Sequence, residues 1–93
     1  MSTTIEVIHN PAASRFETTV DGLLCEATYR REGEVLLMHH TGVPRALEGR
    51  GIAAQLVAAA FAHARANGLR IQPLCSYVRG WAARHPEVSD LLA

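Results

Sequence analysis

A pair of glycines, Gly49 and Gly51, stands between an apolar run and a helical one, and that order constrains the fold more than any other feature. The run before it, Val35-Leu36-Leu37-Met38, reads as a strand, and the stretch from Ile52 through Val57 reads as the start of a helix. Strand, glycine loop and helix in this order leave unpaired N–H groups at a helix N-terminus, which also carries the positive end of the helix dipole. Such a place suits an anionic oxygen, a pyrophosphate above all. The glycines let backbone approach a ligand where a Cβ would collide, and Arg50 could add a charged contact at the rim. The same two glycines could equally make nothing more than a tight strand-to-helix turn. The stretch reads as neither a dinucleotide fingerprint nor a P-loop, and the Lys-Ser/Thr of the latter is missing.

The rest of the chain supplies a sheet for that helix. Residues 5–9 read as a short strand ending at Asn10-Pro11. Residues 16–20 alternate with period two and read as a second strand. Asp21-Gly22 is a two-residue hairpin signal, and residues 23–30 are its partner, with Leu23, Cys25, Ala27 and Tyr29 on one face. A turn at residues 31–33 leads to a third strand of the meander over 34–41. Its two faces carry Leu36, Met38 and His40, and Val35, Leu37, His39 and Thr41. Both are largely apolar, which calls for helices on at least one face of the sheet. Helical spacing of Ile52, Ala53, Leu56, Val57, Ala60, Phe61 and Ala64 predicts a helix over about 50–66, stopped at Asn67-Gly68. Residues 70–74 form a further strand, and a right-handed crossover makes it parallel to the one before the glycines. Pro73 cannot donate to a ladder, so it marks an edge or a local splay. A short helix over 77–84, with Cys75 or Ser76 near its N-cap, and a last one opened by Pro86 close the chain. Trp81, Val88, Leu91 and Leu92 are expected to dock these helices on the sheet.

Composition narrows the function. A chain of 93 residues is read as a single domain, 1–93, and 48% hydrophobic content supports a real core. Formal net charge is zero and no basic block appears, so nucleic acid and membrane surfaces are not expected partners. The sequence has no lysine, which excludes Schiff-base chemistry on that residue. Its polar start, without a leader pattern, and its two cysteines outside any CxxC pair point to reduced thiols and a cytoplasmic location. No His, Cys or carboxylate spacing suggests a metal site, so none is expected.

The frame Glu48-Gly49-Arg50-Gly51-Ile52-Ala53 resembles the acetyl-CoA loop of the GNAT superfamily of N-acetyltransferases, Gln/Arg-x-x-Gly-x-Gly/Ala. Gly51 and Ala53 match, and Glu48 departs from the usual Gln or Arg. Three further stretches extend the likeness to a short, stand-alone subgroup over residues 34–92: His40-Thr41-Gly42-Val43-Pro44, Pro73-Leu74-Cys75-Ser76-Tyr77-Val78 and Arg84-His85-Pro86-Glu87. The resemblance implies a minimal GNAT-type α/β fold, an antiparallel meander plus a parallel strand pair linked by a crossover helix. It lacks the later strands that larger relatives use for the acceptor. It also implies acetyl-CoA as substrate, an amine acceptor, a pantetheine arm lying between the two parallel strands, and a catalytic cysteine where Cys75 stands. The subgroup commonly has a carboxylate where this chain has Gly42.

Several residues are therefore candidates. Val43, Glu48, Gly49, Arg50, Gly51, Ile52 and Ala53 would hold the cofactor, with the Val43 N–H polarising the thioester carbonyl. Cys75 is either a small buried hydrophobe or a thiol activated by a helix N-terminus. Cys25, mid-strand between apolar neighbours, reads as structural. His40 could be a general base or merely a polar residue ending a strand. Trp81 and Tyr77 read as core. The activity expected is acetyl transfer to an amine, direct or through Cys75. The competing expectation is a CoA-binding or protein-interaction module without chemistry.

Overall fold

The computed structural model describes residues 4–93, so the polar start at residues 2–4 lies mostly outside it. Five strands and two α-helices follow in the order β1 (Ile8–Asn10), β2 (Arg15–Val20), β3 (Leu23–Glu32), β4 (Val35–Gly42), α1 (Ile52–Asn67), β5 (Arg70–Pro73) and α2 (Ser76–Ala83). Short 3₁₀ turns occupy Pro11–Ala13, Arg45–Leu47 and Pro86–Leu91. The strands lie in one sheet in chain order, antiparallel from β1 to β4 and parallel between β4 and β5. This is the expected α/β arrangement of a meander, a crossover helix and a parallel pair.

Local chemistry sets the boundaries, and some differ from expectation. β1 starts at Ile8 rather than at residue 5, because Ile5 and Val7 pack against the core without joining the ladder. Asp21 and Gly22 both take positive φ, 51° and 76°, as a tight hairpin between twisted strands requires. β3 runs on to Glu32, so the next turn falls at Gly33 and Glu34, with Gly33 at φ 60°. Helix α1 begins at Ile52, not near Arg50, because Gly51 sits in the left-handed region at φ 74° and cannot continue a helical turn. The helix ends as expected on Gly68.

Both α-helices pack on one side of the sheet. Ile52, Leu56, Val57, Ala60, Phe61 and Ala64 form the buried stripe of α1, facing Phe16, Cys25, Ala27, Tyr29, Met38 and Ile71. Burying a Leu, Val or Phe of this stripe contributes about 1.5–3 kcal/mol, while Ala60 and Ala64 let the helix approach the strands closely. Trp81 joins the core cluster and stacks on Phe61 of α1 at 5.2 Å, with His85 on it at 3.9 Å. The other face of the sheet is mostly polar, with Leu37 buried on it, and carries the ion pairs of Arg15 with Glu17 and Glu26.

Pro73 does not interrupt pairing. β5 pairs with β4 from Arg70 through Pro73, and the Leu74 N–H then reaches the Met38 carbonyl at 2.9 Å. Successive N–H groups of a strand alternate in direction. Arg70 and Leu74 donate toward β4, so Pro73 points its missing donor outward. On that outer edge Ala93 donates to the Ile71 carbonyl, and Leu92 forms a bridge with Ile71.

One half-buried cluster ties β1 to α1. The His9 ring stacks on Phe16 at 4.4 Å and meets the edge of His63 at 4.3 Å, and its Nε2 lies 2.6 Å from the Tyr29 hydroxyl. Burial first, then neighbouring His63, lowers the His9 pKa from its usual 6.5. The native state thus resists a proton that the unfolded chain accepts. This contribution is complete above about pH 6.5 and is lost as pH falls from there through the lower folded value. Carboxylates depressed by their partners, such as Glu17 and Asp90, act only at lower pH. Denaturant midpoints are therefore expected to fall between about pH 7.5 and about pH 5.5, and to fall less in His63→Gln. Equal midpoints at the two pH values would exclude the effect.

Candidate functional site

The site forms where β4 and β5 part. Both the Leu74 and Cys75 N–H groups donate to the one Met38 carbonyl, at 2.9 and 3.0 Å, and the parallel ladder stops there. β4 continues to Gly42 with partners on β3 alone. The break coincides with a bulge. Tyr29 pairs with Met38 and Thr28 with His40, leaving His39 as an extra residue. A bulge bends its strand and changes which side chains share a face.

That change corrects the simple alternation expected for β4. Without a bulge, His40 would share the core face with Leu36 and Met38. With it, His40 lies opposite Thr28 on the polar face, while Thr41 lies opposite Ala27 on the face that holds the core. His39 and His40 are both exposed. A Cβ built on Gly42 would sit 3.0 Å from His40 Nε2 and 3.6 Å from Glu26 Cγ, so the space beside Gly42 is taken by these two side chains. Thr41 Oγ1 lies 3.7 Å from Cys75 Sγ. Among the described residues, the strand end thus presents Thr41 to the sulfur, and His40 to the opposite face.

Cys75 is the N-cap of α2, with extended backbone, and its side chain makes no capping hydrogen bond. Burial pushes its thiol up, but N–H groups of Val78, Tyr77 and Thr41 and the Thr41 hydroxyl outweigh that effect, and the net shift is downward. Cys25 is the contrast. It is fully buried, and burial alone raises its thiol.

A pocket of about 260 Å³ opens between the glycine loop and α2. Val43, Leu47, Glu48, Gly49, Gly51, Ile52, Ala53 and Tyr77 line it. Gly49 has φ 80°, and nothing stands within 4 Å of where its Cβ would be, so the loop leaves open space on that side. Gly51 is the N-cap of α1, and no side chain caps that end. First-turn N–H groups of an α-helix have no partner within the helix. Six of the seven residues expected to hold a cofactor therefore share one wall. Arg50 does not line the pocket and instead reaches Asp21 at 3.3 Å in the β2–β3 hairpin.

Leu47, the first residue of the expected loop, and Tyr77, which was not expected here, complete the lining. Leu47 is buried beneath the loop, and Tyr77, read as core, is half-exposed at the pocket wall. The signal for Tyr77 was its place two residues after Cys75, in the first turn of a helix facing the glycines. Thr41 carried no signal, because the bulge that turns it is invisible in the residue pattern. Among the described residues no group of three or more His, Cys, Asp or Glu could hold a metal ion, and no helix is long and apolar enough to cross a membrane.

Residues 15–91 match the family model described as GCN5-related N-acetyl-transferase. The chain is also similar to the solution NMR structure of a GCN5-like acetyltransferase candidate from Staphylococcus aureus. The TM-score is 0.75 at 28% identity, over 95% of this chain and 87% of that one.

Proposed function

Because the chain belongs to the GCN5-related N-acetyltransferase family, we propose that it binds acetyl-CoA and passes the acetyl group to an amine. The pocket carries this reading, since an uncapped helix N-terminus and two glycines line it together with Val43, the residue after β4, and Tyr77 of α2. In this proposal the N–H groups of residues 49–53 take the pyrophosphate. Val43 and Tyr77 guide the pantetheine arm toward Thr41 and Cys75.

The chain's own groups then have distinct roles. The Val43 N–H stabilises negative charge on the thioester oxygen as the carbonyl is attacked. In direct transfer, His40 accepts a proton from an amine arriving at the polar face, and the coenzyme thiolate leaves. In the two-step route, the Cys75 thiolate attacks the thioester and the coenzyme thiolate leaves; the amine then attacks the acetyl-Cys75 thioester, loses its proton to solvent and releases the Cys75 thiolate. Two thiols without a disulfide support a reducing compartment, for which we propose the cytoplasm.

A second reading, binding without transfer, is favoured by one observation: His40 and Cys75 lie on opposite faces, so the sulfur has no imidazole beside it. Calorimetry with CoA and acetyl-CoA tests the shared part of both readings. Mass spectrometry over a panel of peptide N-termini, lysine and small amines separates them. Heat of binding with acetylated product supports transfer, binding with no product supports the module, and no binding overturns both.

A further inference from the structure

We infer that Thr41 is a positioning residue for Cys75, its hydroxyl donating to the thiolate and fixing where the sulfur points. The inference rests on the proposed role of Cys75 in acetyl transfer, but its geometry is independent of any ligand. Thr41 Oγ1 lies 3.7 Å from Cys75 Sγ, within reach of a hydrogen bond to sulfur. The two residues come from different strands' ends, 34 positions apart in the chain. Thr41 stands two residues before Val43, and Cys75 two residues before Tyr77, and both Val43 and Tyr77 line the pocket. The pair therefore lies just inside the place where the strands part.

The contact depends on an irregularity in β4. The extra residue at His39 puts Thr41 opposite Ala27, on the sulfur's side. A hydroxyl there stabilises a thiolate more than a thiol, because hydrogen bonds to charged groups are the stronger kind. Backbone N–H groups of Val78 and Tyr77 from α2 and of Thr41 itself also lower the thiol's pKa, although the sulfur makes no capping hydrogen bond to α2. Thr41 is the one of these whose donor a substitution can remove without touching the backbone.

The test is alkylation of the whole protein by iodoacetamide across a pH series, read on the peptide that carries Cys75. The thiolate sulfur forms the new S–C bond and iodide leaves, so the rate follows the thiolate fraction. Cys25, fully buried, is the internal reference. In Thr41→Val, which keeps the shape and loses the hydroxyl, the midpoint is expected to move to higher pH. The rate near neutral pH should fall about fivefold, and Thr41→Ser should restore both. An unchanged midpoint in a folded Thr41→Val protein overturns the proposal. If that variant melts early, Thr41→Ala and Thr41→Ser are compared in its place, and equal midpoints for these two overturn it as well. The role of Cys75 in acetyl transfer fails separately, through full turnover in Cys75→Ala, which leaves the alkylation profile of the native thiol untouched.

Discussion

Replacing Gly51 by aspartate is expected to weaken acetyl-CoA binding more than a hundredfold in a protein that still folds. Gly51 ends the loop at φ 74° and opens α1, so any side chain there stands at the mouth of the first-turn N–H groups. Aspartate places a full negative charge where the phosphates are proposed to sit and offers its own oxygens to the same donors. Losing two charge-assisted hydrogen bonds, at about 1.5–3 kcal/mol each, corresponds to more than two decades in Kd. Gly51→Ala separates the causes, since it adds strain at a positive φ without charge and should weaken binding much less. Glu48→Gln should act in the opposite direction, because it removes a negative charge from a residue that lines the pocket proposed to receive the anion. Calorimetry on all three variants, with circular dichroism as the check on folding, decides the matter. Native affinity in a folded Gly51→Asp protein would remove the loop from the proposed site.

Brief exposure to acetyl-CoA without an acceptor is expected to add one acetyl group to the native protein and none to Cys75→Ala. Cys75 is partly exposed at the N-terminal start of α2, and neighbouring N–H and hydroxyl groups tilt its sulfur toward the thiolate despite burial. A thiolate in that position can take the acetyl group as a thioester, which hydroxylamine cleaves, and the kinetics with an amine are then ping-pong. The sequence helps the measurement, because a chain without lysine offers few competing sites beyond its α-amine and two thiols. Cys25 is buried and its thiol raised, so it should stay unmodified. The variant must still bind CoA for the comparison to count. Full turnover of an amine by Cys75→Ala would establish direct transfer and return Cys75 to a packing role.

The parts of the molecule that depend on local pattern were legible in the sequence. The helical stripe from Ile52 to Ala64, the stop at Gly68 and the Asp21-Gly22 hairpin each follow from residue type and spacing within a few positions. Gly49, Gly51, Ile52 and Ala53 gather at the pocket because the strand–glycine–helix order is itself local. What escaped depends on partners distant in the chain. Arg50 reads as a rim cation, but Asp21, 29 residues away, draws it off the pocket. Pro73 reads as an edge or a splay, and the edge reading holds, because β5 ends the sheet and pairs with β4 through Pro73. His40 and Thr41 exchanged faces through one unpaired residue, and no periodicity count on β4 alone contains that residue's effect.

The bulge at His39 makes β4 a strand of two phases joined by a spacer. Upstream, the ladder aligns Met38 with Tyr29; downstream, it aligns His40 with Thr28 and Thr41 with Ala27. The spacer itself contributes no pair, so a chain shortened by His39 alone could keep both alignments in one regular ladder. Thr41 would still face the sulfur, while the bend that accompanies the parting of β4 from β5 would be gone. One deletion thus uncouples two tasks that the native strand performs together: aiming a hydroxyl, and opening a slot. The length of β4, more than the identity of the residue at position 39, is then what the slot depends on.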